Sequence, residues 1–118
     1  MTSVATIKGA QKMSQDNKLI DDDRLLQKVQ KIFHILSNET RLRIILSLDE
    51  QEMNVRQLEE AVGLSQSAIS HQLAILRECD LVNSEKIGKT RVYRLSDDHV
   101  RGMIDTLVIH SQEQDQQE

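Results

Sequence analysis

Five stretches of this chain carry apolar residues at helical spacing, and one stretch between them reads as paired strands. Residues 1–18 are polar and aperiodic, which predicts a disordered arm. Asp21-Asp22-Asp23 then opens a helix, since acids are favourable at the positive N-terminal end. Leu25, Val29, Ile32, Phe33 and Leu36 follow on one face. Asn38 is placed to cap a second helix, with Leu42, Ile45 and Leu46 inward and Arg41 and Arg43 beside them. A third, short helix begins at Asn54, where Gln57 three residues on completes a capping-box pattern. It buries Val55, Leu58 and Val62, and Gly63 ends it. Ser65 caps a fourth helix that runs to about Cys79, so a tight turn containing a glycine joins the third and fourth helices. Leu81 to Ile87 and Arg91 to Leu95 are β-prone and meet around Gly88-Lys89, a hairpin. Ser96 is the expected cap of a last helix over about 97–113, and residues 114–118 form a tail expected to fray. The order is that of a winged helix–turn–helix with an added C-terminal helix. The chain is therefore read as one domain, residues 19–113, mainly α with a small β-hairpin, dimerising through the terminal helices.

Composition narrows the class. Phe33 and Tyr93 are the only aromatics and proline is absent, so the core must come from Leu, Ile and Val. No apolar run approaches the ~20 residues a membrane span needs. Cys79 is the single cysteine, so an internal disulfide is impossible and a reducing cytoplasm is the natural setting. The net charge of −4 argues at first against nucleic acid, but its distribution is uneven. Residues 65–94 hold five Lys/Arg against three Asp/Glu, whereas 95–118 hold one against six. A locally basic surface can still neutralise several phosphates, so charge permits DNA binding without demanding it.

Turning the fourth helix by about 100° per residue separates two faces. Ala68, Ile69, Leu73, Ile75, Leu76 and Cys79 share an apolar arc. Gln66, Ser67, Ser70, Ala74 and Arg77 lie opposite, with His71 at the edge. Small and amide-bearing side chains let a helix approach base edges and exchange hydrogen bonds there, and Arg77 suits a phosphate. Taken alone, this helix could equally be an ordinary solvated surface. The hairpin tips the balance, because Lys86, Lys89, Arg91 and Arg94 crowd around a glycine tip as a wing reaching for flanking phosphates would need. The predicted DNA-contacting set is Ser65, Gln66, Ser67, Ser70, His71, Arg77, Lys86, Lys89 and Arg91.

The last helix carries Asp97, His99, His110 and Glu113. A rise of about 1.5 Å per residue sets His99 and His110 roughly 16 Å apart. Zinc bonds nitrogen and oxygen at about 2.0–2.2 Å, so one copy cannot close a site with both ends. Two copies packed antiparallel across a two-fold axis can, with Asp97 and His99 of one facing His110 and Glu113 of the other. Val100, Met103, Ile104, Leu107 and Val108 form the stripe along which such helices would meet. Two imidazoles and two carboxylates with no thiolate suit tetrahedral Zn²⁺ or Co²⁺. The plainer alternative is that the acids are chance and Asp97 merely favours the helix N-terminus. His34 reads as a partly buried helix residue and Cys79 as core.

The stretch Leu64-Ser65-Gln66-Ser67-Ala68-Ile69-Ser70-His71-Gln72-Leu73, followed by Leu76-Arg77 and Leu81-Val82, resembles the recognition-helix signature of the ArsR/SmtB family of metal-responsive repressors. Leu36 to Ile44 resembles that family's second-helix entry, and Gly88 to Leu95 its wing. The resemblance implies a homodimeric winged-helix repressor that binds an inverted-repeat operator in double-stranded DNA and releases it on binding its inducer. It implies no enzyme, no small-molecule substrate and no membrane partner. One group of members places cysteines on the third helix; Met53 to Leu58 has none. Another uses Asp-x-His from one subunit and His-x-x-Glu or His-x-x-His from the other, which Asp97, His99, His110 and Glu113 match, implying two Zn²⁺ (or Co²⁺) per dimer. The resemblance also implies a relay between the metal site and the recognition helix through the His110–His71 region. Two alternatives remain open: a DNA-binding regulator with no metal response, its last helix serving dimerisation only, or one responding to oxidation through Cys79.

Overall fold

A computed structural model describes residues 19–117 of the chain, and the expected arm at 1–18 lies outside them. Contacts divide the chain into two compact units, residues 1–35 and 36–118. The first contains a short 3₁₀ turn, Leu19–Asp21, and most of helix α1, Asp23–Leu36. Asp22 caps α1, its Oδ1 accepting the Leu25 N–H at 3.1 Å. The predicted apolar face is present, yet Leu25, Leu26, Val29 and Phe33 are all exposed in the single chain, Phe33 by 63%.

In the second unit the elements run α2 (Glu39–Glu50), β1 (Met53–Asn54), α3 (Val55–Val62), α4 (Gln66–Glu78), β2 (Val82–Ile87), β3 (Thr90–Leu95) and α5 (Asp98–Gln117). Side-chain caps hold most of the junctions. Asn38 accepts from the Arg41 N–H at 3.0 Å, opening α2. Asn54 and Gln57 bond reciprocally at 2.8 and 2.9 Å, a complete capping box for α3. Gly63 closes α3 at φ 80°, a left-handed conformation that a Cβ disfavours, and the chain turns at once into α4. Ser65 caps α4, its hydroxyl accepting the Ala68 N–H at 3.3 Å.

Strands β2 and β3 form the expected hairpin, with Ile87 opposite Thr90 and Gly88 at φ 65° in the turn. The two residues of β1 pair antiparallel with β3, so the sheet has three strands in the order β1-β3-β2. The core gathers Ile44, Ile45, Leu48, Leu58, Ile69, Leu73, Leu76, Val82 and Ile104, all essentially inaccessible. Three details differ from expectation. On α2 the core positions are Ile44, Ile45 and Leu48, while Leu42 and Leu46 are part-exposed and line a groove of about 440 Å³ against α5. Asp97, not Ser96, caps α5: its Oδ1 accepts the Val100 N–H at 3.0 Å. The Ser96 hydroxyl instead donates to the Asp80 carbonyl. Finally, α5 continues through Gln117, beyond the expected end at 113. Among the described residues no helix is long and apolar enough to cross a membrane.

Candidate DNA and metal sites

Helix α4 is anchored by Ile69, Leu73 and Leu76, which are buried, and this sets which side faces out. Ser65, Gln66, Ser67, Ser70, His71, Ala74 and Arg77 are all exposed. Ser65 is committed to its cap and lies 3.3 Å from the Ser67 hydroxyl. Gln66, Ser70, His71 and Arg77 spend no side-chain hydrogen bond within the described residues, so their donors and acceptors are available to an incoming duplex. Gln72, on the flank between the two faces, turns inward, and its Oε1 accepts from Arg41 Nη1 at 3.0 Å.

On the hairpin, the register places Lys86 directly opposite Arg91. Like charges directly opposite on a sheet repel and destabilise the pair. The alternation of strands puts both on the same face as the buried Val82 and Leu95. Arg91 is steadied by donating to the Ser84 hydroxyl at 2.9 Å. Lys86 and Lys89 are exposed and make no ion pair among the described residues. An anion lying across Lys86 and Arg91 would relieve their repulsion. Arg94, which joins this cluster in the sequence, lies on the opposite face of the hairpin. It bridges Glu52 at 3.2 Å and Glu85 at 2.7 Å. Those two carboxylates, Glu85 foremost, hold its guanidinium above the ordinary arginine range.

Helix α5 carries its candidate metal donors in two separate pairs. At its start, Asp97 Oδ1 and His99 Nδ1 lie 3.6 Å apart, with the His99 side chain 98% exposed. His110 and Glu113, one turn apart near the other end, are exposed as well. Among the described residues no three of His, Cys, Asp and Glu come close enough to hold an ion. The donor set nonetheless fits zinc as two half-sites: each end offers one imidazole and one carboxylate to solvent, and the cap already orients the Asp97 carboxylate. Among the described residues His71 and His110 make no hydrogen bond to each other.

A polar cluster that the sequence reading did not identify joins α5 to the C-terminal end of α2. Arg101 Nη1 donates to the Asp49 carbonyl at 2.6 Å and to Asp49 Oδ1 at 3.1 Å. The Asp49 side chain is only 17% exposed. Its hydrogen-bonding contact with the Asp105 carboxyl, followed by burial, pushes the Asp49 carboxyl up, and Arg101 offsets this only in part. One signal for it was available: an acid in the last turn of α2 opposes the helix dipole and calls for a compensating partner.

A family model described as bacterial regulatory protein, arsR family, matches residues 38–84, which include α2, α3 and α4. The HTH-type transcriptional regulator NmtR of Mycobacterium tuberculosis is 36% identical over 91 residues, covering 77% of this chain and 76% of that protein. A transcriptional repressor SmtB homolog of a Synechocystis strain is 38% identical over 89 residues, covering 75% and 67%. Among solved structures, reduced HlyU from Vibrio cholerae superposes with a TM-score of 0.66 at 38% identity, covering 72% of this chain and 90% of that one.

Proposed function

This chain belongs to the ArsR/SmtB family of bacterial transcriptional regulators, DNA-binding proteins rather than enzymes, and on that premise we propose that it is a zinc-responsive homodimeric repressor. Metal-free, it holds an inverted-repeat operator; with zinc at sites shared between subunits, it lets go. The observation that carries this reading is the division of four donors into two exposed pairs at opposite ends of α5. Neither pair can complete a coordination shell alone, and a single chain cannot join them.

Self-association is supported by apolar surface that a lone chain leaves uncovered: Leu25, Leu26, Val29 and Phe33 on α1, and Leu107 and Ile109 on α5, the last two about half exposed. Two copies of α4 then enter successive major grooves, with Gln66, Ser67 and Ser70 toward base edges and Arg77 toward the backbone. Lys86, Lys89 and Arg91 take flanking phosphates. Asp97 and His99 of one copy, with His110 and Glu113 of the other, would hold the metal, two sites per dimer. Bound there, Zn²⁺ (or Co²⁺) would supply a cross-link between the two last helices. A dimer geometry set by that edge of α5, rather than by the operator, spaces the two α4 helices for release. By linkage, DNA must weaken metal affinity by the factor that metal weakens DNA affinity.

The test is a zinc titration of the protein on an inverted-repeat duplex. Metal-free protein binds tightly and zinc weakens it by a factor in the family of allosteric couplings, about 5–150-fold. His99→Ala and His110→Ala retain metal-free binding and lose the zinc response. A zinc response that survives both substitutions overturns the proposed site.

A second reading draws on the likeness to HlyU, solved in a form described as reduced. Here the regulator has no metal response, α5 serves dimerisation only, and Cys79 of two chains senses oxidation. Cys79 is part-buried and its thiol donates to the Ile75 and Leu76 carbonyls at 3.5 and 3.6 Å, a setting that shelters it. Peroxide sensitivity of operator binding that disappears in Cys79→Ser would favour this reading over zinc.

A further inference from the structure

Helix α2 carries a polar tie at each end, and the two ties reach the two helices that regulation must connect. Near its start, Arg41 donates to Gln72 of the DNA-facing helix α4 at 3.0 Å. Near its end, Asp49 is gripped by Arg101 of α5 and touches Asp105 of the same helix. Eight residues of α-helix separate Arg41 from Asp49, about 12 Å along the axis. Between the ties, Ile44, Ile45 and Leu48 are fully buried, so α2 cannot shift at one end without moving its packed middle. Among the described residues no hydrogen bond joins His110 to His71.

We infer that α2 is a strut that transmits the position of α5 to the recognition helix α4, with Asp49–Arg101 and Arg41–Gln72 as its two joints. The inference rests on α5 being the sensing helix, as proposed above. Displacing the first turn of α5 pulls on Asp49 through Arg101. The helix moves as a unit because its buried face is close-packed. Arg41 then rotates α4 about its own axis through Gln72, turning Gln66 and Ser70 out of register with the bases. Gln72 is a positioning residue in this scheme: it touches no DNA and sets where its neighbours point.

The two joints lie in series, and that makes the test specific. Gln72→Leu removes the acceptor at one end, and Arg101→Ala removes both bonds to Asp49 at the other. For each variant and the double, operator affinity is measured with and without zinc, alongside zinc affinity of the DNA-free protein. Each single substitution should reduce the zinc-driven loss of DNA affinity by at least threefold, with zinc affinity unchanged within twofold. The double should reduce it no further than the more severe single, because a strut broken once is already broken. Where the wild type responds to zinc, reductions that multiply, or a ratio unchanged in both singles, overturn the strut. Hydrogen exchange of the metal-free protein separates this from failure of the zinc reading. Operator DNA should alter amide protection in the first turns of α5 in the wild type and leave it unaltered in Gln72→Leu. If the wild type ignores zinc but shows that exchange effect, sensing by zinc fails while the strut stands; if the exchange effect is absent in the wild type, or persists in Gln72→Leu, the strut fails.

Discussion

Helices α4 and α5 both lie on the surface of the second unit, but one is finished and the other is not. Helix α4 buries Ile69, Leu73 and Leu76 within 13 residues and turns a continuous small-polar face outward. Helix α5 is 20 residues long, yet among its described side chains only Ile104 is buried. Leu107 and Ile109 remain about half exposed, and the donor pairs proposed for a metal face water. A DNA-reading face can be built by one chain because the duplex supplies everything else. A site that must report on the relation between two subunits has to be left incomplete in each.

The contrast breaks most visibly in the core. Ile69→Ala under α4 should cost about 2–5 kcal/mol of unfolding free energy, through lost burial and the cavity left behind. The cost should be independent of protein concentration, because the cavity forms inside one chain; denaturant melts at two concentrations check this. A loss that shrinks as concentration rises would mean that α4 also depends on the partner.

Substitutions on the outer face of α4 sharpen the comparison next. Gln66→Ala should weaken operator binding by about 1–3 kcal/mol and relax base preference at one position per half-site. Arg77→Ala should weaken all sequences nearly alike and lower the salt slope by about one unit per half-site. If both substitutions acted alike on all sequences, the assignment of α4's first turn to base edges would be wrong. Arg94→Ala supplies the control: its two carboxylate partners predict little change in the salt slope.

On α5 the effect is smaller and of another kind. Leu107→Ala should leave the chain folded and weaken self-association, by about 1 kcal/mol per chain for a half-exposed leucine that becomes buried. Sedimentation equilibrium reads this directly. An unchanged dimer constant, together with a lowered melting temperature at all concentrations, would move Leu107 into the monomer's own core.

The same contrast explains what could be read in advance. The junctions at Asn38, Asn54–Gln57, Gly63 and Ser65 were legible because caps and left-handed glycines are local chemistry, decided within four residues. The polar face of α4 followed from periodicity for the same reason. Strand β1 was not legible: two residues cannot show alternation, and only the register with Tyr93 and Val92 makes Met53–Asn54 a strand. The inward side of α2 was misplaced because Leu42, Ile44, Ile45, Leu46 and Leu48 surround most of the helix, so spacing alone cannot choose between Ile44 and Leu42. Ser96 and Asp97 compete for one cap, and the settling contact, Ser96 to the Asp80 carbonyl, is long-range. Arg94 reads as a wing cation until Glu52, far away in sequence, is placed beside it. The candidate donors of α5 can be named from the sequence, whereas the pairing proposed for them would belong to two chains and is written in neither alone.

The smallest predicted effect lies where α5 meets α2. Asp49 has its carboxyl pushed up by the neighbouring Asp105 carboxyl and by burial, so the folded state holds this proton more tightly than the unfolded state does. The stabilisation from that proton is complete below the ordinary carboxylate range and is lost as pH rises through the raised value. Above the raised value the ionised group stands beside the Asp105 carboxyl, with Arg101 as partial compensation. Asn at position 49 keeps an oxygen for Arg101 and offers an N–H to the Asp105 carboxylate. Asp49→Asn should therefore raise the melting temperature above the raised value and remove the pH dependence that this carboxyl contributes. Thermal melts of both proteins on both sides of that value decide the matter. A variant less stable than the wild type throughout, with the same pH profile, would mean that Arg101 needs a full negative charge at position 49.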